Sequence, residues 1–123
     1  MSVLAGLVAK KYAPPEFQTF FEVGNSTGAR AYRHVDAVSI SIWPSRGFTV
    51  HGFEFKDSRQ DWVREKKNPE KAEAIFRFCD FWWLAVTDAS IVKDGELPEP
   101  WGLQVLKGGK LTIVKQAPKL TVS

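Results

Sequence analysis

VHGFEFKDSRQDW, residues 50–62, changes its period halfway along. The first seven residues are rich in aromatic and β-branched side chains and read as a strand. From Ser58, with Asp61 three residues later, the pattern becomes that of a capped helix bearing Trp62 and Val63. Glu54 and Lys56 stand two residues apart inside the apolar run, so strand geometry puts this acid and base on one face.

Reading outward, Pro44-Ser45-Arg46-Gly47 separates HVDAVSISIW (34–43) from FTVHGFEFK (48–56), and the two predict a β-hairpin. Before it, SVLAGLVAKKY (2–12) places Val3, Leu4, Leu7 and Val8 at helical spacing and ends at Ala13-Pro14-Pro15. FQTFFEV (17–23) reads as a strand followed by a Gly24–Gly28 loop. After the hairpin, Asn68-Pro69 restarts a helix, with Ala72, Ile75, Phe76 and Cys79 as its apolar stripe. FWWLAV (81–86) has no polar residue and suits a strand covered on both faces. WGLQVL and LTIVK, joined by Lys107-Gly108-Gly109-Lys110, predict a second hairpin, and residues 116–123 a loose tail. The expected fold is α/β: a mixed sheet flanked by helices, in the order α-β-β-β-α-β with a C-terminal β-hairpin extension.

The chain has 123 residues, 44% of them apolar and 13% aromatic, which is enough for one domain with a substantial core. One domain over 1–123 is therefore expected, its core at about 2–88 and the hairpin extension at about 100–115. Seventeen Lys and Arg against fourteen Asp and Glu leave a net charge of +3, which permits an anionic partner without requiring one. The single cysteine, Cys79, cannot form an internal disulfide and reads as a buried thiol, which fits a reducing, cytoplasmic setting. Val3–Ala9 is too short to span a membrane and has no charged region before it, so neither a membrane nor an export signal is expected. Without such a signal, Asn25-Ser26-Thr27 is an accidental match to a glycosylation acceptor.

If strands 34–43 and 48–56 pair about a turn near Ser45, partner numbers sum to about 90 and Asp36 lies opposite Glu54. Opposed residues share a face with Cβ atoms roughly 5 Å apart. Asp36, Glu54 and Lys56 would then converge, and a register slip of one residue would separate them. Two opposed carboxylates call for a cation. A hard ion such as Mg²⁺ or Mn²⁺, held by Asp36 and Glu54 with several waters, is the natural candidate. It would polarise a phosphate oxygen and acidify a bound water, while Lys56 orients that water or offsets developing charge.

Asp36 on one strand and Glu54-Phe55-Lys56 on the next, followed by a helix and a further strand, resemble the PD-(D/E)XK nuclease superfamily. Within it, ARAYRHVDAVSISIWPSRGFTVHGFEFKDSRQDW (29–62), PEKAEAIFRFCDFWWLAV (69–86) and GELPEPWGL (95–103) are similar to the MmcB-like DNA-repair proteins and their phage relatives. The resemblance spans about residues 20–106. It implies a restriction-endonuclease-like core and Mg²⁺-dependent hydrolysis of DNA, with Asp36 and Glu54 as metal ligands and Lys56 as the catalytic lysine. Many members carry a further acid on the first helix, whereas residues 2–12 contain none. Three alternatives follow: Glu16 or Glu22 stands in, the site holds one ion weakly, or it is inactive. In the last case the domain binds DNA or a partner protein without turnover.

Arg30, Arg33 and His34 precede the Asp36 strand, and Arg30 and Arg33, with Arg59, are the candidate phosphate-backbone contacts. The other charges of the central helices, Asp61, Arg64, Glu65 and Lys66 among them, read as a solvated face. At least one of Trp82 and Trp83 is expected in the core, whereas Trp62 and Trp101 could pack or line a groove. His51 shares parity with Phe53 and Phe55, away from Glu54, and is expected to be non-catalytic. Homodimerisation is a further possibility, since small nucleases often pair to cut two strands. The chain has no recognisable catalytic triad, Gly-rich phosphate loop or cysteine zinc motif.

Overall fold

The apolar run FWWLAV becomes strand β4 (Phe81–Val86), and every one of its residues from Trp82 to Val86 is buried. The computed structural model of the chain describes residues 3–24, 34–67 and 78–120. Helix α1 (Val3–Lys11) leads to strands β1 (Phe17–Gly24), β2 (His34–Ser41) and β3 (Val50–Lys56). Helix α2 (Arg59–Lys66), β4, β5 (Trp101–Lys107) and β6 (Lys110–Lys115) follow. The six strands form one sheet in chain order. β1–β2, β2–β3 and β5–β6 pair antiparallel, while β3, β4 and β5 run parallel. The expected second hairpin is thus no appendage, because β5 continues the central sheet beside β4.

Alternation along β4 sends Trp82, Leu84 and Val86 to one side of the sheet and Trp83 and Ala85 to the other. On the first side they pack with Trp62 of α2, Trp101, Val105, Cys79 and Ile91. On the second, Leu4 and Val8 of α1 and Tyr12 just after it cover Ala37, Phe53, Trp83 and Ala85. Trp62, Trp82, Trp83 and Trp101 are therefore all core residues. Each indole of β4 lies over a glycine of a neighbouring strand. A Cβ on Gly52 would come within 2.6 Å of Trp82 and 2.7 Å of the Cys79 sulfur, and one on Gly102 within 2.5 Å of Trp83. Burial pushes the Cys79 thiol up to about 12, consistent with an inert core sulfur.

The first hairpin is shorter than its sequence suggests. Residues Pro44–Arg46 form a 3-10 turn, and Gly47 and Phe48 take left-handed backbone angles, φ 73° and 52°. The ladder consequently starts only at Ile40 and Val50. Its register is the expected one: Ala37 faces Phe53 and Ser39 faces His51, each pair summing to ninety. The C-terminal segment differs from expectation, since Ala117 packs against Gly102 and the Leu120 N–H donates to the Asp80 carbonyl at 2.7 Å. The helix restart at Asn68-Pro69, with Ala72, Ile75 and Phe76, lies outside the described residues. Among the described residues no helix is long and apolar enough to cross a membrane.

Candidate active site

Strand alternation sets Glu54 and Lys56 on the α2 side of β3, with Phe53 and Phe55 on the α1 side. The Ser58 hydroxyl caps α2 by accepting the Asp61 N–H at 3.1 Å, as its sequence predicts. This start fixes the helix phase: Trp62 enters the core, and Glu65, three residues on, comes down beside β3. There the Lys56 ammonium lies 3.2 Å from Glu65 Oε1 and 3.5 Å from Glu54 Oε1. The Glu65 side chain is only 8% exposed, so it does not belong to a solvated helix face. An acid among many helix charges carries no mark of burial. The usable signal was its i+3 spacing from Trp62.

Burial, a hydrogen bond to Glu65 and the negative charge of Asp36 and Glu65 push Glu54 up to about 9, against the opposing pull of Lys56. A hydrogen bond between two carboxyl groups needs a proton on one of them, so the Glu54–Glu65 pair holds a proton at neutral pH. Burial alone would lower the Lys56 ammonium. The charges of Glu54, Glu65 and Asp36 outweigh it and raise the group.

Asp36 arrives by a different route from the expected one. The Ser41 N–H donates to the Thr49 carbonyl at 2.9 Å, so odd-numbered positions form the hydrogen-bonded rungs of this hairpin. The next such rung beyond Ala37–Phe53 would join Phe55 to Val35. Instead the Phe55 N–H donates to Asp36 Oδ2 at 2.7 Å, and the ladder stops. β2 peels away here, and Val35 packs into the α2-side core. Asp36 lines a cleft of about 480 Å³ on the α1 side with Leu4, Phe21, Glu22, Phe55 and Asp57. The register is therefore right, but the shared face is not: the Asp36 carboxylate stands where the strands part, still acting electrostatically on Glu54 and Lys56. Of the two candidate stand-in acids, Glu22 lines this cleft. Its φ of 53° is left-handed, a strained angle for a residue other than glycine.

Arg59 has a structural partner. Its guanidinium pairs with both oxygens of Glu96, through Nη1 and, at 2.7 Å, Nη2, and Nη1 also donates to the Ile91 carbonyl at 2.9 Å. Glu96 further accepts from Trp62 Nε1, Lys66 Nζ and the Lys93 N–H, and the bonds from Arg59, then Lys66 and the Lys93 N–H, hold its carboxyl far below the usual range. Arg59 thus ties α2 to the loop before β5. Arg30 and Arg33 lie outside the described residues. His51 is on the α1 side as expected; its Nδ1 accepts from Trp83 Nε1 at 3.0 Å, and burial lowers it to about 4.

Among the described residues no group of three or more His, Cys, Asp or Glu side chains is arranged to hold a metal. Mg²⁺ does not require one, since it is commonly bound through one or two carboxylates and otherwise by water. The donor set at this sheet end fits such an ion chemically: all oxygen, and holding a proton for want of enough positive charge. Comparison with known proteins bears on the fold. No family model matches the chain, and no curated protein matches it. A solved structure, the SPO1766 protein of unknown function from Silicibacter pomeroyi, is similar over 98% of this chain and 73% of its own, at 23% identity and a TM-score of 0.68. This likeness shows a shared mixed α/β architecture.

Proposed function

We propose that the chain is a metal-dependent phosphodiesterase of the PD-(D/E)XK kind, acting on DNA in repair or in phage DNA metabolism, with a restriction-endonuclease-like core. One observation carries this reading: the Asp36 carboxylate, where β2 and β3 part, lies close enough to act electrostatically on the Glu54–Lys56 pair, and Glu54 retains a proton there up to about 9. Asp36 and Glu54 are the residues that would hold Mg²⁺ or Mn²⁺. The ion, when bound, would supply the positive charge that acidifies a water and steadies the phosphate. Glu54 must lose its proton to serve as a ligand. Lys56, positioned by Glu54 and Glu65, places a fixed ammonium beside the phosphate, where it offsets charge developing on oxygen. Glu65 keeps that ammonium in place and can take up the Glu54 hydrogen bond.

A second reading has its own observation. Lys56 already lies between two carboxylates, so the cluster also makes sense as a buried ion network in a module that binds DNA or a protein without turnover. A panel of single-stranded, duplex and branched DNA incubated with Mg²⁺ or Mn²⁺ separates the two. The enzyme reading expects cleavage that excess chelator stops, that Glu54→Ala abolishes and that Lys56→Ala depresses. Absence of metal-dependent cleavage across the panel, from protein that still binds DNA or a protein partner, would leave the second reading in place.

A further inference from the structure

A second cleft, of about 370 Å³, opens on the α1 side of the sheet between the end of α1 and the β5–β6 turn. Its walls include Lys10, Lys11, Lys110 and the turn glycines Gly108 and Gly109, and no carboxylate. Both glycines have positive φ, 57° and 82°, so the two-residue turn is of the kind that keeps hairpin strands in register. That register sets Lys107 directly opposite Lys110 on the last rung. Like charges directly opposed across a ladder are destabilising. Among the described residues neither lysine, nor Lys10, has an acidic partner that would relieve them. Lys11 is held from within: its ammonium donates to Gln104 Oε1 at 2.8 Å and to the Leu111 carbonyl at 3.3 Å. Gln104 is fixed in turn by donating to the Tyr12 hydroxyl at 2.9 Å. One ammonium proton of Lys11 remains uncommitted by these bonds.

The place of this cleft matters as much as its charge. β3, β4 and β5 run parallel, and Lys56, Val86 and Val105 lie on successive matched positions. The β5–β6 turn is therefore at the same end of the sheet as the candidate active site. Helix α1 joins the two clefts, since Leu4 and Ala5 line the first while Leu7, Lys10 and Lys11 line the second. Six residues of helix rise about 9 Å, close to three phosphates of one strand at roughly 3.4 Å each along a duplex.

We propose that Lys10, Lys11 and Lys110 form a phosphate-backbone anchor, which grips DNA a few nucleotides from the Asp36 cleft without reading its sequence. The choice of DNA as the polyanion rests on the function proposed above. The anchor itself is tested by binding alone.

The experiment measures fluorescence anisotropy of a labelled oligonucleotide, single-stranded or duplex, in excess chelator so that no cleavage intervenes. Lys10→Gln/Lys110→Gln is compared with Lys93→Gln/Lys119→Gln, which removes the same charge elsewhere on the surface. The anchor variant should bind about tenfold or more weakly at ~0.1 M salt, and its slope of log K against log salt should fall by about 1.4, or 0.7 for each lost single-strand phosphate contact. The control should stay near the parent in both respects. Equal losses in the two variants, no loss in the anchor variant, or no DNA binding by the parent would each overturn the anchor. If the anchor variant alone loses binding while the cleavage panel is negative, the anchor stands and the nuclease reading falls. If cleavage depends on Glu54 but binding ignores Lys10 and Lys110, the reverse holds.

Discussion

Glu54→Gln should stabilise the metal-free protein, and the gain should grow with pH. Glu54 ionises near 4.5 in an unfolded chain and near 9 in the folded one. Between those values the folded state holds a proton that the unfolded state has released, so stability falls as pH rises through the window. Each pH unit above 4.5 costs up to about 1.36 kcal/mol, which places a ceiling of about 4 kcal/mol on the penalty near pH 7.5. Glutamine has nearly the same shape, needs no proton, and can still donate to Glu65. Urea unfolding in chelator at about pH 5 and about pH 8 measures the effect. The variant should gain little at the lower pH, where the parent pays almost nothing, and between 1 and about 4 kcal/mol at the higher, the range seen when buried ionic groups are neutralised. Mg²⁺ should then raise the parent's unfolding midpoint, with release of a proton, and leave the variant's unmoved. A gain of the same size at both pH values, or a loss at the higher one, would refute the claim that Glu54 folds protonated.

His51 is lowered to about 4 from an unfolded value of 6.5, so its neutral form contributes stability that is complete above 6.5 and lost as pH falls through 4, by at most about 3 kcal/mol. An NMR titration should find its ring changing near pH 4, and a midpoint near 6.5 would show the ring to be solvated rather than packed against Phe81 and Trp83. Gly52→Ala should destabilise by about 1–3 kcal/mol, because its methyl would overlap the Trp82 ring and the Cys79 sulfur in a filled core. Denaturant unfolding showing no loss would mean that β3 and β4 can move apart at that point.

The strands were legible because their signals are short-range. FWWLAV, with no polar residue, can be satisfied only between two covered faces, and the sheet gives it both. The sum-to-ninety register followed from the Pro44–Gly47 turn, whose left-handed residues shorten the ladder without shifting it. Two features of the site were not legible, for different reasons. Glu65 looks like any other helix charge, and only the Ser58 cap and the burial of Trp62 turn it inward. Asp36 was placed on the face of Glu54 by extending an ideal ladder through its last rung. A carboxylate side chain can itself accept a strand N–H, and once Asp36 does so at Phe55 the two strands no longer need each other's backbone. Arg59 illustrates the same limit from the opposite side: its bidentate partner, Glu96, sits in a proline-rich loop whose path no periodicity reveals.

These departures share a physical logic. Crowding Glu54 and Glu65 around one lysine, with the charge of Asp36 nearby, opposes folding, and such an arrangement persists only where its surroundings are over-determined. Here the surroundings are β4, buried on both sides and wedged by Trp82 and Trp83 over Gly52 and Gly102, and α2, pinned by its Ser58 cap and by the Arg59–Glu96 pair. Both hold β3 and Glu65 so that relaxation of the acids away from one another would require the core to open. The strain is therefore retained at the sheet end, where β2 departs and the cleft gives a small cation and a phosphate oxygen access to Asp36.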